Sequence, residues 1–348
     1  MFAIAQMERG NRIQIDRSRD DYLTEFGKAT LQYRYLRPEE SFQELLARQA
    51  MHYGDDSAHA QRIYDYMSNL WFMPATPVLS NGGTNRGLPI SCFLNETQDS
   101  LEDIVELWNE NVWLASLGGG IGSYWGNVRS IGEKVGRNGK TSGIVPFIRV
   151  MDSLTLAISQ GSLRRGSAAI YLPIWHPEIE EFIEMRRPTG GDPNRKALNL
   201  HQGVLVTNRF MEAVENDEEW ALKSPKDNHV VDRVKARDLW IRLLTARIET
   251  GEPYIVYIDH VNDHVPEHHK MAGLTVKMSN LCSEITLPTG RDHLDNDRTA
   301  VCCLSSLNLD KFEEWQDHPT FIEDVMRFLD NVLSDFINKA PDSLNLEQ

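Results

Sequence analysis

The chain has 348 residues, enough to bury a large hydrophobic core in one large domain or two smaller ones. Hydrophobic residues make up 41% and charged residues 25%, as in ordinary globular proteins. The net charge of -15 argues against sequence-independent binding to a nucleic-acid backbone, which needs a basic face. No apolar run is long enough to span a membrane, and the N-terminus turns polar too soon for a signal peptide, so we expect a cytoplasmic protein.

The first part of the chain is polar and has helical periodicity. Apolar residues recur at helical spacing over Glu39–Met51 and His59–Leu70, so we predict an N-terminal helical region over residues 1–70. A turn-rich segment, Met73–Leu94, follows with three prolines and three glycines, and it ends in a short strand around Cys92.

Helical and strand-like segments then alternate, which is typical of a parallel α/β sheet or barrel. The predicted helices are Leu101–Leu117, Ile144–Ser159, Glu178–Arg186, Arg237–Glu249 and Thr320–Ile337; the predicted strands are Ala168–Leu172, Gly203–Thr207 and Tyr254–Ile258. Gly118–Gly122 is predicted to be a turn that lets the backbone approach a ligand closely.

The segment SNLCSEITLPT carries the most informative pattern. Asn280, Cys282 and Glu284 are spaced two residues apart, so an extended backbone would place all three side chains on one face. Burying the carboxylate without a partner would cost on the order of several kcal/mol, so a reactive site explains the trio better than core packing does. The alternative is a half-exposed strand whose polar face meets water.

Two kinds of chemistry suit a thiol beside a carboxylate. Nucleophilic catalysis by Cys282 would need a histidine base, and none lies nearby in the sequence. Hydrogen-atom transfer by a thiyl radical would use Glu284 as a general base and two further thiols as an electron source. Cys92, Cys302 and Cys303 are candidates; on a strand the last two point to opposite faces, so only one of them can share a site with Cys92.

Several segments resemble the large subunit of ribonucleotide reductases. They are MPATPVLSNGGTNRGLPISCFL, GGGIGSYWGNVRSIG, SQGSLRRGSAAIYLPIWHPEIEEFIEMR, SNLCSEITLPT and AVCCLSSLNL, and they occur in the family's order from about Trp71 to the C-terminus. The resemblance implies an α/β fold: an N-terminal helical region followed, over residues 71–348, by the first half of a ten-stranded α/β barrel with a finger loop.

The resemblance also implies a role for each residue of the reactive site. Cys282 would form the thiyl radical that abstracts the ribose 3′-hydrogen, Glu284 would take the 3′-hydroxyl proton, and Asn280 would bind the sugar and hold Glu284. Cys92 would protonate the departing 2′-hydroxyl and then form a disulfide with Cys302.

Further positions match the family's binding sites. Thr76, Ser91 and Gly120 would contact the substrate nucleotide, whereas Cys303 would be structural. The site for an allosteric effector, a deoxynucleoside triphosphate or ATP, would comprise Asp99, Ser100, Leu101, Arg129 and, on a looser alignment, Arg137; Arg165 would carry the effector's identity to the substrate base.

The implied activity is the reduction of ribonucleoside diphosphates to deoxyribonucleotides. We expect no metal or cofactor in this chain, a dimetal (iron or manganese) centre in a separate radical-generating small subunit, thioredoxin or glutaredoxin as reductant, and a homodimer of the assembled large subunit. The barrel is expected to be incomplete and an ATP-cone absent, so we predict that the isolated chain is inactive and needs a C-terminal half. No nucleic-acid or membrane partner is expected.

Two other functions remain open from the sequence. One is a fragment of an adenosylcobalamin-dependent reductase, which shares the cysteine chemistry; the other is an inactive regulatory fragment that only binds nucleotides. A histidine-rich segment, DHVNDHVPEHHK, also suggests a metal site, but Pro266 interrupts the helix that would align His264 with His268, so we predict a solvated loop there.

Overall fold

The computed structural model describes residues 2–6, 12–137, 139–160, 164–291 and 298–344, without the side chains of 2–6, 12, 159–160, 164–165 and 341–344. These residues belong to two compact units. The helical unit comprises residues 1–91, 161–164 and 302–348, and the sheet unit comprises residues 92–160 and 165–301.

The elements are numbered in chain order. The strands are β1 (Phe2–Gln6), β2 (Arg12–Asp16), β3 (Phe72–Pro74), β4 (Cys92–Glu96), β5 (Gly120–Tyr124), β6 (Lys134–Val135), β7 (Gly139–Lys140), β8 (Ser159–Gln160), β9 (Arg164–Arg165), β10 (Ser167–Pro173), β11 (His201–Val206), β12 (Glu219–Lys223), β13 (Val230–Lys235), β14 (Tyr254–Tyr257), β15 (Ala300–Cys302) and β16 (Ser305–Leu307). The α-helices are α1 (Glu25–Arg34), α2 (Phe42–Tyr53), α3 (Ser57–Ser68), α4 (Thr76–Asn81), α5 (Leu101–Ser116), α6 (Val145–Ala157), α7 (Ile179–Glu184), α8 (Asn208–Glu215), α9 (Ala236–Thr250), α10 (Ile258–Asp263), α11 (Glu267–Met271), α12 (Phe312–Trp315) and α13 (Phe321–Leu344). Short 3₁₀ turns span Arg17–Tyr22, Pro193–Arg195 and Leu309–Lys311. None of the helices in the described ranges is long and apolar enough to cross a membrane.

The core of the helical unit lies between α2, α3 and α13, the three long amphipathic helices. Helix α2 begins at Phe42 because Ser41 and Glu44 form a reciprocal capping box at its N-terminus. The predicted helices over Glu39–Met51, His59–Leu70 and Thr320–Ile337 are confirmed to within a few residues at their starts, and α13 continues to Leu344.

The start of the chain differs from the prediction of polar helices. Strands β1 and β2 form an antiparallel hairpin, with Ala3 opposite Ile15 and Ala5 opposite Ile13. Ile13 and Ile15 are both buried against the helices, because the alternation of apolar and polar residues in RIQID is that of a strand with one buried face.

The sheet unit is built on parallel strands in the order β14-β11-β10-β5-β4, with β15 next to β4 at the edge. Its helices connect successive strands, as the alternating sequence predicted. The fold is therefore a helical N-terminal region followed by an α/β region, whose six-stranded sheet is open among the described residues rather than closed into a barrel. The predicted turn at Gly118–Gly122 is wrong from Gly120 onward, because this stretch is the buried central strand β5.

A buried carboxylate fastens α13 to α3 within the helical unit. Asp324 accepts two hydrogen bonds from the Arg62 guanidinium (2.7 and 2.8 Å), one from the Tyr66 hydroxyl (2.8 Å) and one from Thr320 (2.8 Å). Burial alone would raise the pKa of Asp324, but these hydrogen bonds outweigh it and lower the pKa to about 2.

We expect Asp324→Asn to lower the free energy of unfolding by about 1–3 kcal/mol, because the amide cannot accept all four bonds. Since the folded-state pKa lies below the ordinary 3.8, the contribution of Asp324 should be complete above that pH and disappear as the pH falls towards about 2. Denaturant unfolding at several pH values would measure this. Asp330→Asn, an exposed position on the same helix, is the matched control; equal effects of the two substitutions would contradict the prediction.

Candidate active site

The segment with the reactive cysteine forms a tight loop, here called the finger loop (residues 279–285). Its two ends are joined by hydrogen bonds to the Ile285 carbonyl from the Ser279 hydroxyl (2.6 Å) and from the Asn280 N–H (3.2 Å). Ser283 has a φ of 67°, and its N–H donates to the Asn280 carbonyl at 3.3 Å. The predicted extended strand is therefore wrong: the backbone turns back between Asn280 and Glu284.

The turn separates the three side chains that the sequence placed on one face. Asn280 is fully buried, whereas Cys282 and Glu284 are exposed at the tip. The Asn280 Oδ1 accepts the N–H groups of Glu284 and Ile285, both at 3.1 Å, and its Nδ2 donates to the Cys92 Sγ at 3.4 Å. One amide therefore shapes the backbone that carries Cys282 and Glu284 and reaches the sulfur of a second predicted catalytic cysteine.

The finger loop lies directly against the sheet. A Cβ added to Gly122 on β5 would collide with the Ser279 carbonyl oxygen and lie 2.9 Å from the Asn280 Cα, so only glycine permits this approach. On the neighbouring strand β10, Tyr171 donates its hydroxyl to the Asn280 carbonyl at 2.5 Å. Its ring occupies space that a side chain at Gly203 would fill.

An ion pair fixes the chain where it enters the finger loop. Lys277 Nζ lies 2.9 and 3.1 Å from the two carboxylate oxygens of Glu96, which ends strand β4. The Glu96 side chain is 3% exposed and also accepts a hydrogen bond from Gln98 at 2.8 Å. Because both oxygens are engaged, the charge is compensated, and the approach to the loop is tied to the strand that carries Cys92.

Polar groups on β11 and β14 share the electrostatic surroundings of the tip. Burial raises the pKa of Tyr254, and the charges of Glu252, Cys282 and Glu284 raise it further. The Tyr254 ring stacks on His201 at 6.2 Å, and His201 Nδ1 lies 2.5 Å from the buried Glu252 Oε1. Tyr254, His201 and Glu252 therefore form a connected group at β11 and β14, close enough to Cys282 and Glu284 for their charges to act on Tyr254.

The predicted substrate contacts lie near the starts of elements. Gly120 begins β5 and is the register partner of Cys92 in the parallel pair with β4. Ser91 directly precedes β4; it is buried, and its hydroxyl has no hydrogen-bond partner among the described residues. Thr76 begins α4, and its hydroxyl is hydrogen-bonded to Tyr35 at 2.9 Å.

The adjacent cysteines 302 and 303 have different surroundings. Cys302 ends strand β15 and is buried. Cys303 is half-buried and packs against the core of the helical unit, where burial raises the pKa of its thiol to about 12. A thiol that stays protonated at neutral pH in an apolar setting fits the structural role predicted for Cys303.

The predicted effector residues cluster at the N-terminus of α5. Arg129 donates its Nε to the Asp99 carboxylate at 2.7 Å, and its backbone N–H donates to the same carboxylate at 3.0 Å. Ser100 caps α5 by accepting the Asp103 N–H at 3.0 Å, and Leu101 is exposed on the first turn. The start of a helix beside an arginine is the kind of surface that binds phosphate oxygens, and here the first turn also carries the carboxylates of Glu102 and Asp103.

The two remaining effector candidates lie on other segments. Arg137 is exposed in the turn between β6 and β7, and the base of this hairpin is joined to Arg129 by a 2.7 Å hydrogen bond from its guanidinium to the Lys134 carbonyl. Arg165 lies in β9, and its side chain falls outside the described residues.

Comparison with known proteins decides the family. The ribonucleotide reductase all-alpha domain matches residues 22–87, and the ribonucleotide reductase barrel domain matches residues 90–342. The chain belongs to the ribonucleotide reductase large-subunit family. The first range lies within the helical unit, whereas the second covers the sheet unit and continues through α13 of the helical unit.

Relatives of this chain include viral, bacterial and protozoan proteins. The ribonucleoside-diphosphate reductase large subunit of invertebrate iridescent virus 3 is 39% identical over 95% of this chain and 60% of its own length. That of invertebrate iridescent virus 6 is 41% identical over 78% of this chain and 28% of its own. The solved class Id ribonucleotide reductase alpha subunit of Actinobacillus ureae superposes with a TM-score of 0.79 and 32% identity, covering 92% of this chain and 56% of that one. The chain therefore spans less than two thirds of each of these relatives.

Several residues that shape the reductase site were not predicted from the sequence. They are Tyr171, Tyr254, His201, Glu252, Glu96 and Lys277. A signal existed for Tyr171: it interrupts the otherwise apolar strand SAAIYLP, and a buried phenol needs a hydrogen-bond partner. The sequence gave no means of knowing that this partner is the carbonyl of Asn280, more than a hundred residues later.

Tyr171→Phe should loosen the finger loop, because the Asn280 carbonyl would keep only the longer bond from Ser283. We expect the free energy of unfolding to fall by about 1–2 kcal/mol and amide hydrogen exchange in residues 279–285 to accelerate. Tyr257→Phe, on an exposed tyrosine of β14, is the control. Unchanged exchange in the finger loop of the Tyr171 variant would contradict the assigned anchor.

Proposed function

We propose that this chain supplies the reactive half of a ribonucleoside-diphosphate reductase, which makes deoxyribonucleotides for DNA synthesis. The observation that carries the proposal is the buried Asn280 amide, which organises the backbone of Cys282 and Glu284 and donates to the Cys92 sulfur. An inert packing role does not require one amide to bind both the backbone of the finger loop and the sulfur of a second cysteine.

The proposed reaction gives a role to three cysteines and one carboxylate. A Cys282 thiyl radical takes the 3′-hydrogen of the ribose, and Glu284 takes the 3′-hydroxyl proton. Cys92 protonates the 2′-hydroxyl, which departs as water, the hydrogen of the Cys302 thiol is transferred to C2′, and the two cysteines supply two electrons by forming a disulfide. Glu284 then returns its proton to the 3′-oxygen and Cys282 returns the 3′-hydrogen, which regenerates the thiyl radical. The products are a deoxyribonucleotide, water and a disulfide that an external dithiol reduces.

The proposed assembly contains parts beyond these residues. The remainder of the catalytic subunit, whether it continues this polypeptide or is a second one, would complete the site, and a small subunit with an iron or manganese centre would generate the radical. Thioredoxin or glutaredoxin would reduce the disulfide in the cytoplasm. Exposed apolar residues on α5 and α6 (Leu101, Val105, Trp113 and Leu156) support a homodimer through these two helices.

A deoxynucleoside triphosphate or ATP would bind as effector beside Asp99 and Arg129. The aligned N–H groups at the start of α5 and the guanidinium suit a triphosphate, and the exposed Leu101 suits an apolar contact with the sugar or base.

Reconstitution tests the proposed reaction. This chain, the remainder of the catalytic subunit and the small subunit are mixed with CDP, a dithiol reductant and a triphosphate effector, and dCDP is quantified. We expect turnover only in the complete mixture, and none with Cys282→Ala, because no other residue can take the 3′-hydrogen. Turnover by Cys282→Ala would refute the assigned radical site.

Two further outcomes would replace the proposal. Activity that needs adenosylcobalamin and no small subunit would identify the cobalamin-dependent branch. Nucleotide binding without turnover, despite verified assembly, would favour a regulatory protein.

The dithiol can be tested in the same assay. We expect Cys92→Ala and Cys302→Ala to lose multiple turnover, since neither variant can form the disulfide, whereas Cys303→Ala keeps most of the activity. Cys303 is the matched control because it is the neighbouring thiol with a structural environment. Equal losses at Cys302 and Cys303 would contradict the pairing.

A further inference from the structure

Glu178 is a buried carboxylate with no part in the proposed reaction. It lies in the turn between β10 and α7, and its side chain is only 2% exposed. Burial raises its pKa to about 7, although backbone N–H groups partly lower it. Because burying a carboxylate costs solvation free energy, the carboxylate needs hydrogen-bond donors or a cation beside it.

The partners of Glu178 are the two ends of one segment. Glu178 Oε2 accepts the Ile131 N–H at 3.0 Å and the Ile144 N–H at 3.0 Å, and Oε1 accepts the Ile144 N–H at 3.2 Å. Between these ends, residues 131–137 and 139–144 include the strands β6 and β7, and they are here called the effector hairpin. The Gly132 N–H donates to the Thr141 carbonyl at 2.9 Å, and the Thr141 N–H donates to the Glu133 carbonyl at 2.9 Å, next to the paired strands.

The surroundings of Glu178 are fitted to this arrangement. Gly143 has a φ of +85°, and a Cβ there would collide with the Glu178 carboxylate. Arg195 lies 3.6 Å from Glu178 Oε1 and donates to the Ser142 carbonyl at 3.3 Å, so a cation balances the buried charge beside the hairpin. Ile144 is also the N-cap of α6 and offers no side-chain cap, so the Glu178 carboxylate serves the start of that helix.

His176 fixes the backbone on the other side of Arg129, at Val128. Its Nδ1 accepts the Glu178 N–H at 3.1 Å, so the proton is on Nε2, which donates to the Val128 carbonyl at 2.9 Å. Val128 directly precedes Arg129, which binds Asp99 and the Lys134 carbonyl of the effector hairpin. Two side chains from one turn therefore hold the backbone on both sides of Arg129.

We propose that Glu178 is a positioning residue for the triphosphate effector: it fixes both ends of the effector hairpin so that Arg129 and Arg137 face the phosphate chain. Glu178 does not touch the nucleotide. It acts by removing freedom from a segment that would otherwise have to be ordered when the nucleotide binds. The inference rests on the effector site proposed above.

The test uses the full chain, with dTTP and Mg²⁺ as the probe. We expect Glu178→Gln to weaken dTTP binding by about tenfold in calorimetry, because one oxygen becomes an NH₂ group that cannot accept backbone N–H groups and faces Arg195. Hydrogen exchange without nucleotide should accelerate at the Ile131 and Ile144 amides. Glu181→Gln, on a half-exposed carboxylate that also binds Arg195, is the matched control and should keep both values near those of the wild type.

Asp324→Asn controls for general destabilisation, since it weakens the helical unit and leaves the effector hairpin intact. A simple stability effect would lower dTTP affinity in both variants, whereas positioning lowers it only at Glu178. If the wild type binds no dTTP, the proposed effector site fails; if it binds and Glu178→Gln binds equally well with unchanged exchange, the role of Glu178 is refuted.

Discussion

The arrangement of the site depends on one constraint: a seven-residue loop must lie flat on a parallel sheet while its own polar backbone remains satisfied. The Asn280 side chain satisfies part of the loop backbone, because its oxygen accepts the N–H groups of Glu284 and Ile285. Tyr171 meets it from the sheet, and Gly122 provides the space. With these contacts in place, Cys282 and Glu284 are exposed at the tip, while Asn280, at the base of the loop, stays buried.

Other buried polar side chains also fix the backbone of distant segments in the sheet unit. Buried carboxylates occur at the ends of β4, at the turn after β10 and at the start of β14, and each accepts hydrogen bonds from backbone or cationic groups of a distant segment. Glu96 thereby ties the finger loop to the strand of Cys92, and Glu178 ties the effector hairpin to the turn after β10. In these cases a buried carboxylate at or near the end of a strand fixes the position of a distant loop.

Sequence patterns predicted the regular elements well, because helices such as α5 and α9 and strands such as β10 and β14 repeat a local periodicity. They failed where long-range contacts decide the conformation. The alternation of Asn280, Cys282 and Glu284 suggested a strand, yet hydrogen bonds from Asn280 to residues four and five positions later favour a turn. Gly118–Gly122 suggested a turn, yet from Gly120 onward this stretch is a central strand, in which Gly122 leaves room for the finger loop. The residue identities at the site followed from the family resemblance, whereas partners such as Tyr171 and Glu178 become visible only in three dimensions.

The chemical nature of the Tyr171 anchor has a consequence for the conditions under which the thiol can work. Burial raises the pKa of this phenol well above its usual range, so it keeps its proton at neutral and moderately alkaline pH. The bond to the Asn280 carbonyl is also between neutral groups and away from solvent, so dissolved ions screen it little. A lysine or histidine in its place would have made the position of Cys282 vary with acidity and ionic strength. The buried phenol therefore keeps the backbone beside Cys282 in place when the acidity or the salt concentration of the surroundings changes.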